Sequence, residues 1–264
     1  EEIIYNSTAI FHFGDFSKNL YLSKYKIIQN QFIIPHGNYL DLKKQKIIQG
    51  SAENKIKLNY SNTTISVIGP IRDKNEFIIL RNFAKYYLKE NCNFIYCGNI
   101  VNDFVIHPTD GKLLIFLKNF FFNKLGLKKF IKNKRISSLR NLGKNITIIP
   151  KRISDELLIE IIDLSDILLI CRYGNLNSGN VPLGFTFGCY VVGPNQGNIG
   201  EILRKYNNSV YDIKNTKYNK VVLNSLEAFR EGIGKNNLKI SKLYWDWSIL
   251  GKKYKSIFKK FNVV

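Results

Sequence analysis

Apolar and polar positions divide this chain into short blocks, and the period of each block predicts an element. From residue 61 on the rhythm is regular. TTISVIGPI reads as a strand ending in a Gly-Pro turn, and NEFIILRNFAKYYLKE at 75–90 sets its apolar residues at helical spacing. NFIYCGN is a strand ending in Gly, and NITIIP is another. SDELLIEIIDLS is a helix with Ser154 as N-cap and Asp155 and Glu156 in its first turn. DILLICRY lacks alternation, which predicts a strand covered on both faces. LNSGNVPLGFTFGCYVVGPNQGNIGEIL then supplies loop, helix, strand, loop and helix, and SVYDI a last strand. Strands alternating with helices predict an α/β fold, a Rossmann-like doubly wound parallel sheet.

The flanks are less regular. Residues 3–13 are apolar and β-prone, and 15–26 (DFSKNLYLSKYK) predict a short helix with Asp15 as N-cap. QFIIPHGNYLD is a short strand closing on a Pro-His-Gly turn, and the polar stretch 43–62 is a loop or a helical segment. Residues 104–141 interrupt the rhythm with KLLIFLKNFFFNKLGLKKFIKNKR, where bulky apolar residues mix with Lys124, Lys128, Lys129, Lys132, Lys134 and Arg135. Two readings stand: a basic amphipathic segment on an anionic membrane surface, or a core helix with a basic outer face. YWDWSILGKKYKSIFKKF predicts an amphipathic helix with Trp245, Trp247, Ile249, Leu250, Tyr254, Ile257 and Phe258 turned to the core.

With 264 residues, 45% of them apolar, the chain has material for one large or two small domains. The formal charge of +20 favours polyanionic partners, such as nucleic acid, anionic lipid or phosphate-bearing substrates, unless it reflects only a Lys-rich composition. No apolar run is long and clean enough to span a bilayer, and the N-terminus lacks the layout of a signal peptide. Cys92, Cys97, Cys171 and Cys189 are scattered, which fits buried free thiols in a reducing cytoplasm. His12, His36 and His107 make no metal-ligand pattern with them. The chain opens on Glu1-Glu2 and holds no Met, which fits either a processed chain or a fragment.

In a parallel sheet, ligands bind beyond the carboxyl ends of the strands. Gly69, Gly98, Ser178-Gly179 and Gly197 all fall at such ends. Asn177-Ser178-Gly179-Asn180 precedes a helix, whose N-terminal N–H groups attract phosphate. Gly179 permits close approach, and Pro182 suits a first helical turn that needs no N–H. Arg72 and Lys74 lie just past another strand end, where they suit a diphosphate clamp.

These landmarks, in this order, resemble the nucleotide-sugar-binding half of the GT-B glycosyltransferases, close to the family-4 group. IIPHGNY resembles the segment that opens the C-terminal domain, and ISVIGPIRDKNEFIILRNFAKYY the strand, Arg/Lys loop and helix that hold the donor diphosphate. ITIIPKRISDELLIEIIDLSDILLI resembles the segment leading into the donor-site strand, and LNSGNVPLGFTFGCYVVGPNQGNIGEIL the donor-site block itself. YWDWSILGKKYKSIFK resembles the helix that crosses back onto the N-terminal domain. The resemblance implies three parts: 1–30 as the end of the acceptor domain, 31–240 as the donor-binding domain with the insertion at 104–141, and 241–264 as the crossing helix. One departure is clear. The family's two glutamates would fall on Asn175 and Leu183, and neither is acidic. Glu201 is the acidic residue nearby, either as a ligand to ribose or sugar hydroxyls or as a helix N-terminus stabiliser. The turn at Gly197 would close over the same ligand.

The resemblance implies transfer of a hexose from a nucleotide-diphosphate sugar to a glycan or lipid-linked acceptor in cell-surface polysaccharide synthesis. Arg72 and Lys74 would carry the leaving-group charge, with Gly69, Asn177, Ser178, Gly179, Asn180, Gly197 and Glu201 around the donor. No metal or other cofactor is expected, and the fragment alone is expected to be inactive. The expected place is the cytoplasm, peripheral to the inner membrane face. The rivals are a nucleotide-sugar-binding protein without turnover, a basic nucleic-acid-binding module and, further off, a nucleotide-sugar epimerase.

Overall fold

The computed structural model describes residues 7–25, 30–49, 56, 58–100, 127–174 and 176–261. Strand β1 (Ile10–His12), helix α1 (Asp15–Tyr25) and strand β2 (Gln31–Ile33) form a small first unit. Its strands pair in parallel, Ile10 with Gln31 and His12 with Ile33. That pairing joins residues on both sides of position 30, the boundary that the resemblance implies. Helix α2 (Leu40–Gln49) occupies the start of the stretch read as loop or helix.

Beyond it run β3 (Thr64–Ile68), α3 (Lys74–Lys89), β4 (Asn93–Cys97), α4 (Leu127–Arg140), β5 (Ile146–Ile149) and α5 (Asp155–Asp163). They are followed by β6 (Ile167–Leu169), α6 (Asn180–Phe187), β7 (Tyr190–Pro194), α7 (Gly197–Lys205) and β8 (Ser209–Tyr211). Helices α8 (Tyr218–Arg230), α9 (Ile233–Tyr244) and α10 (Trp247–Lys260) close the chain. Strands β3 to β8 make one six-stranded sheet, parallel throughout, in the order β5-β4-β3-β6-β7-β8. The chain starts in the middle, builds out to β5, returns beside β3 as β6, and builds out the other way. The order reverses between β3 and β6, and the carboxyl ends of those two strands therefore diverge to leave a crevice.

Alternate residues of each strand feed opposite faces. Ile65, Val67, Ile167 and Leu169 pack under α3 and α8 against Leu80, Phe83, Tyr87 and Val222. Leu168, Ile170 and Val191 pack on the other side against Ile162, Leu183, Phe185, Ile199 and Ile240. Both faces are covered, so β4, β6 and β7 are buried at every position, as the run without alternation predicts for β6. All four cysteines are buried and unpaired. Burial pushes the Cys92 thiol up to about 11 and that of Cys97 to about 12, so both are thiols at neutral pH.

The C-terminal stretch differs from its expected form. Asp246 is the N-cap of α10, accepting from the Ser248 N–H, and this cap separates the two tryptophans. Trp245 ends α9 and stacks on Phe185 within the second core, with ring centroids 4.8 Å apart. Helix α10 sets Leu250 and Ile257 against Ile34, Phe11 and Phe32, and so clamps the first unit. Residues 104–126 of the expected insertion lie outside the described residues. Its remainder is α4, which buries Ile136 and Leu139 in the first core and exposes Lys129, Phe130 and Lys134. Among the described residues no helix is long and apolar enough to cross a membrane.

Candidate functional site

The crevice at the strand-order reversal is built by two loops. The first leaves β3. Gly69 takes φ +113°, and its N–H donates to the Cys97 carbonyl at 2.8 Å, so the loop runs tight against the exit of β4. Asp73 then caps α3, accepting from the N–H groups of Asn75 and Glu76. Glu76 reaches back with its carboxylate to the Arg72 N–H at 2.6 Å, which makes the arrangement a capping box extended by one residue. Glu76 is buried, and burial raises its carboxyl above the usual range against the pull of that bond. The backbone of Arg72 is thereby fixed while its side chain stands at the exposed rim. Lys74 opens α3 and is exposed.

The second loop leaves β6 and carries Arg172, which the sequence pattern assigns to a strand. The strand ends at Leu169, and Arg172 is half-buried over the crevice. A Cβ built on Gly69 would lie 3.2 Å from a terminal nitrogen of Arg172, so the guanidinium rests on that glycine. Burial, then the nearby Arg72 charge, hold the Arg172 pKa down, and Glu76 opposes them. Arg72, Arg172 and Glu76 are thus one electrostatic cluster. Tyr173 ties the two loops together: its hydroxyl donates to Asp73 Oδ2 at 3.0 Å and accepts from Asn75 Nδ2 at 2.9 Å.

The Ser178-Gly179-Asn180 corner joins this cluster. Asn180 Nδ2 donates to the Ile68 carbonyl at 2.7 Å, which bolts the first residue of α6 to the end of β3. The Asn180 N–H bonds weakly to Ser178 Oγ at 3.3 Å, and Pro182 in the first turn has no N–H. Tyr39 reaches the corner from α2's entry: a Cβ on Gly179 would meet its hydroxyl at 2.9 Å. The corner and the arginines therefore flank one strand end, Ile68-Gly69. From the corner a small, partly open cleft runs between α6, α7 and the turn after β1, lined by Phe13, His36, Asn177, Ser178 and Ile199 among others.

The second turn is stitched to the first, with the Gly174 N–H donating to Gln196 Oε1 at 3.1 Å and Asn198 Nδ2 to Asn177 Oδ1 at 2.6 Å. Gly197 takes φ +58° as α7 begins. The side chains of this turn serve the first unit. Glu201 Oε1 accepts from the Asp15 N–H at 3.1 Å and Oε2 from the Phe16 N–H at 2.7 Å. Asn198 Oδ1 accepts from the Ser17 N–H at 3.0 Å. Three free N–H groups of α1 are thus capped from α7, and the expected cap, Asp15, lies inside the helix. Of the two roles open to Glu201, the geometry supports helix stabilisation. Glu201→Ala is expected to cost about 0.5–2 kcal/mol in urea unfolding, the scale of a lost helix cap, while nucleoside-diphosphate affinity stays within twofold. An affinity loss without a stability loss would reverse the assignment.

No family model matches the chain, and no curated protein matches it in sequence. Solved structures do. A glycosyltransferase from Rickettsia africae ESF-5 superposes with a TM-score of 0.67 at 14% identity, over 98% of this chain and 66% of that one. Sucrose-phosphate synthase from Thermosynechococcus elongatus gives 0.64 at 12% identity, over 98% of this chain and 60% of that one. An α,α-trehalose-phosphate synthase (UDP-forming) from Burkholderia vietnamiensis gives 0.63 at 10%, over 96% and 60%. The fold is that of the GT-B glycosyltransferases. At these identities the likeness establishes the fold alone. The chain spans 60% to 66% of the length of these GT-B structures.

Within the GT-B frame, the structure brings Arg72, Gly69, Ser178, Gly179 and Asn180 together at the β3 end and stitches Asn177 and Gly197 to their flank. Asn175, one of the two positions where the resemblance would put a glutamate, lies outside the described residues, and Leu183, the other, is buried in the second core. Three site residues escape the sequence reading: Arg172, Tyr39 and His36. Only Arg172 carries a signal, an arginine directly after the unbroken apolar run DILLIC.

Proposed function

We propose that this chain is the donor-binding part of a glycosyltransferase that moves a hexose from a nucleotide-diphosphate sugar to a glycan or lipid-linked acceptor. The observation that carries the reading is the arginine pair at the strand-order reversal, Arg72 and Arg172, set beside the Ser178–Gly179 corner. Arg72 at the exposed rim and the half-buried Arg172 are near enough to repel each other, the Glu76 carboxylate offsets part of that repulsion, and a diphosphate between the arginines relieves the rest. In the reaction the acceptor oxygen bonds to the anomeric carbon, the bond from that carbon to the diphosphate oxygen breaks, and the acceptor proton passes to a base or solvent. The leaving nucleoside diphosphate takes the electron pair. Arg72, Arg172 and the Gly179 N–H stabilise its growing charge, with Lys74 at the rim as a further cation. Gly69, without a side chain, lets the Arg172 guanidinium lie close over the strand exit.

Calorimetric titration of the chain with UDP, GDP and dTDP tests this: at least one should bind at micromolar to millimolar concentration, with affinity falling as salt rises. No binding of any of the three would overturn the reading. Leu183 in place of an acidic residue favours one second reading, a protein that holds the nucleotide sugar without turnover. Release of free sugar or a glycosylated product by the full polypeptide decides between the two.

A further inference from the structure

We infer that His36 reads a hydroxyl of the sugar carried by the bound nucleotide, through its Nε2 atom, in the cleft that continues from the Ser178–Gly179 corner. The inference rests on the corner being a diphosphate cradle. Its first support is a fixed tautomer. Nδ1 lies 2.7 Å from the Gly37 carbonyl oxygen, which can only accept, so Nδ1 carries the proton. In the neutral ring Nε2 then holds a lone pair and accepts from a hydroxyl.

The second support is immobility. The His36 ring stacks on Tyr39 with centroids 5.7 Å apart and is flanked by Phe13 at 6.0 Å and Trp247 at 6.2 Å. The backbone beneath it cannot drift. A Cβ on Gly37 would overlap the Trp247 indole, and the next residue, Asn38, donates its N–H to the Trp245 carbonyl at 2.8 Å. The Asn38 carbonyl accepts from Trp247 Nε1 at 3.0 Å, and its side chain donates to the Ser241 carbonyl at 3.0 Å. A hydrogen-bonding group held this firmly loses little entropy when a ligand arrives.

The third support is the cleft itself. Asn177, Ser178 and His36 give it a polar rim, and Phe13, Val181 and Ile199 give it apolar walls. A sugar ring has the matching surface, with C–H faces and hydroxyl edges. A site built to bond a hydroxyl rejects an analogue that lacks it more strongly than an apolar pocket rejects a missing methylene.

Two substitutions separate the ring nitrogens. His36→Asn keeps an amide near Nδ1, and with it the bond to Gly37, but ends short of Nε2. His36→Gln places its amide oxygen near Nε2. Each variant and the natural chain are titrated with UDP, UDP-glucose, GDP and GDP-mannose. For whichever pair binds, His36→Asn should weaken the nucleotide sugar by about tenfold, the loss of one hydrogen bond, and leave the matching nucleoside diphosphate within twofold. His36→Gln should stay within about threefold for both. Equal losses for sugar-bearing and sugar-free ligands, or no loss for either, would overturn the role of His36 while leaving the cradle in place. If the natural chain binds none of the four, the cradle reading falls first and this inference with it.

Discussion

Arg172→Ala is expected to weaken nucleoside-diphosphate binding by ten- to a hundredfold, a larger loss than Arg72→Ala gives. Each arginine offers a charge-assisted contact, about 1.5–3 kcal/mol when the partner is an anion. Their settings differ. Arg72 stands at the exposed rim, where water screens it. Arg172 is half-buried against Gly69, and burial and Arg72 together hold its pKa below the usual arginine range. Half-burial leaves the guanidinium short of hydration before any ligand arrives, so an incoming phosphate replaces missing hydration as well as adding a contact. Removal of Arg172 loses both gains. Arg172→Lys keeps the charge without the planar fork and should recover part of the affinity. Calorimetry at two salt concentrations reads the difference: the Arg172 contribution should survive added salt better than that of Arg72. An Arg172→Ala affinity within twofold of the natural chain would remove the arginine from the site.

How much of this was legible in the sequence follows from the range of each interaction. The central strand β6 announces itself because burial on both faces leaves the unbroken apolar run DILLIC, and ILL is buried throughout. Ser154 caps α5 as its local pattern predicts. Most of the failures are long-range. Asp15 obeys the local rule for an N-cap, yet the N–H groups of α1 go to Glu201, 186 positions away from Asp15. Helical counting across YWDWSIL merges Trp245 with α10, although Asp246 is a local N-cap that starts the new helix and Trp245 belongs with Phe185 in the second core. Arg172 looks like the tail of a strand. It becomes a site residue only because the chain returns to β3 at that point and sets it on Gly69. His36 and Tyr39 gain meaning in the same way, from the approach of α6 and Trp247. Periodicity encodes what is buried; the reversal of strand order decides what meets at the rim.

The same rim makes Gly98→Ala the substitution with the largest expected cost to stability. Gly98 takes φ +153°, a region that L side chains rarely adopt. Its added Cβ would overlap the Gly69 carbonyl oxygen and sit 3.1 Å from Pro70 N, both backbone atoms. Neither strand exit can retreat. The Gly98 N–H donates to Ile149 O at 3.0 Å, the Gly69 N–H to Cys97 O at 2.8 Å, and the Ile71 N–H to Asn99 O at 2.9 Å. Backbone strain and overpacking together should cost about 2–5 kcal/mol. For a chain of this size that is a fall in Tm on the order of 10 °C. Because the displaced loop carries Arg72 and supports Arg172, nucleoside-diphosphate affinity should fall as well, even at temperatures where the variant is folded. Gly143→Ala is the control: its Cβ would meet only Leu88 Cδ1, at an ordinary 3.9 Å, so its Tm should match the natural chain or rise slightly. Differential scanning calorimetry on both variants decides the matter, and a Gly98→Ala chain that melts within about 2 °C of the natural one, well under the shift expected for 2 kcal/mol, would mean that the two strand exits are not packed backbone to backbone.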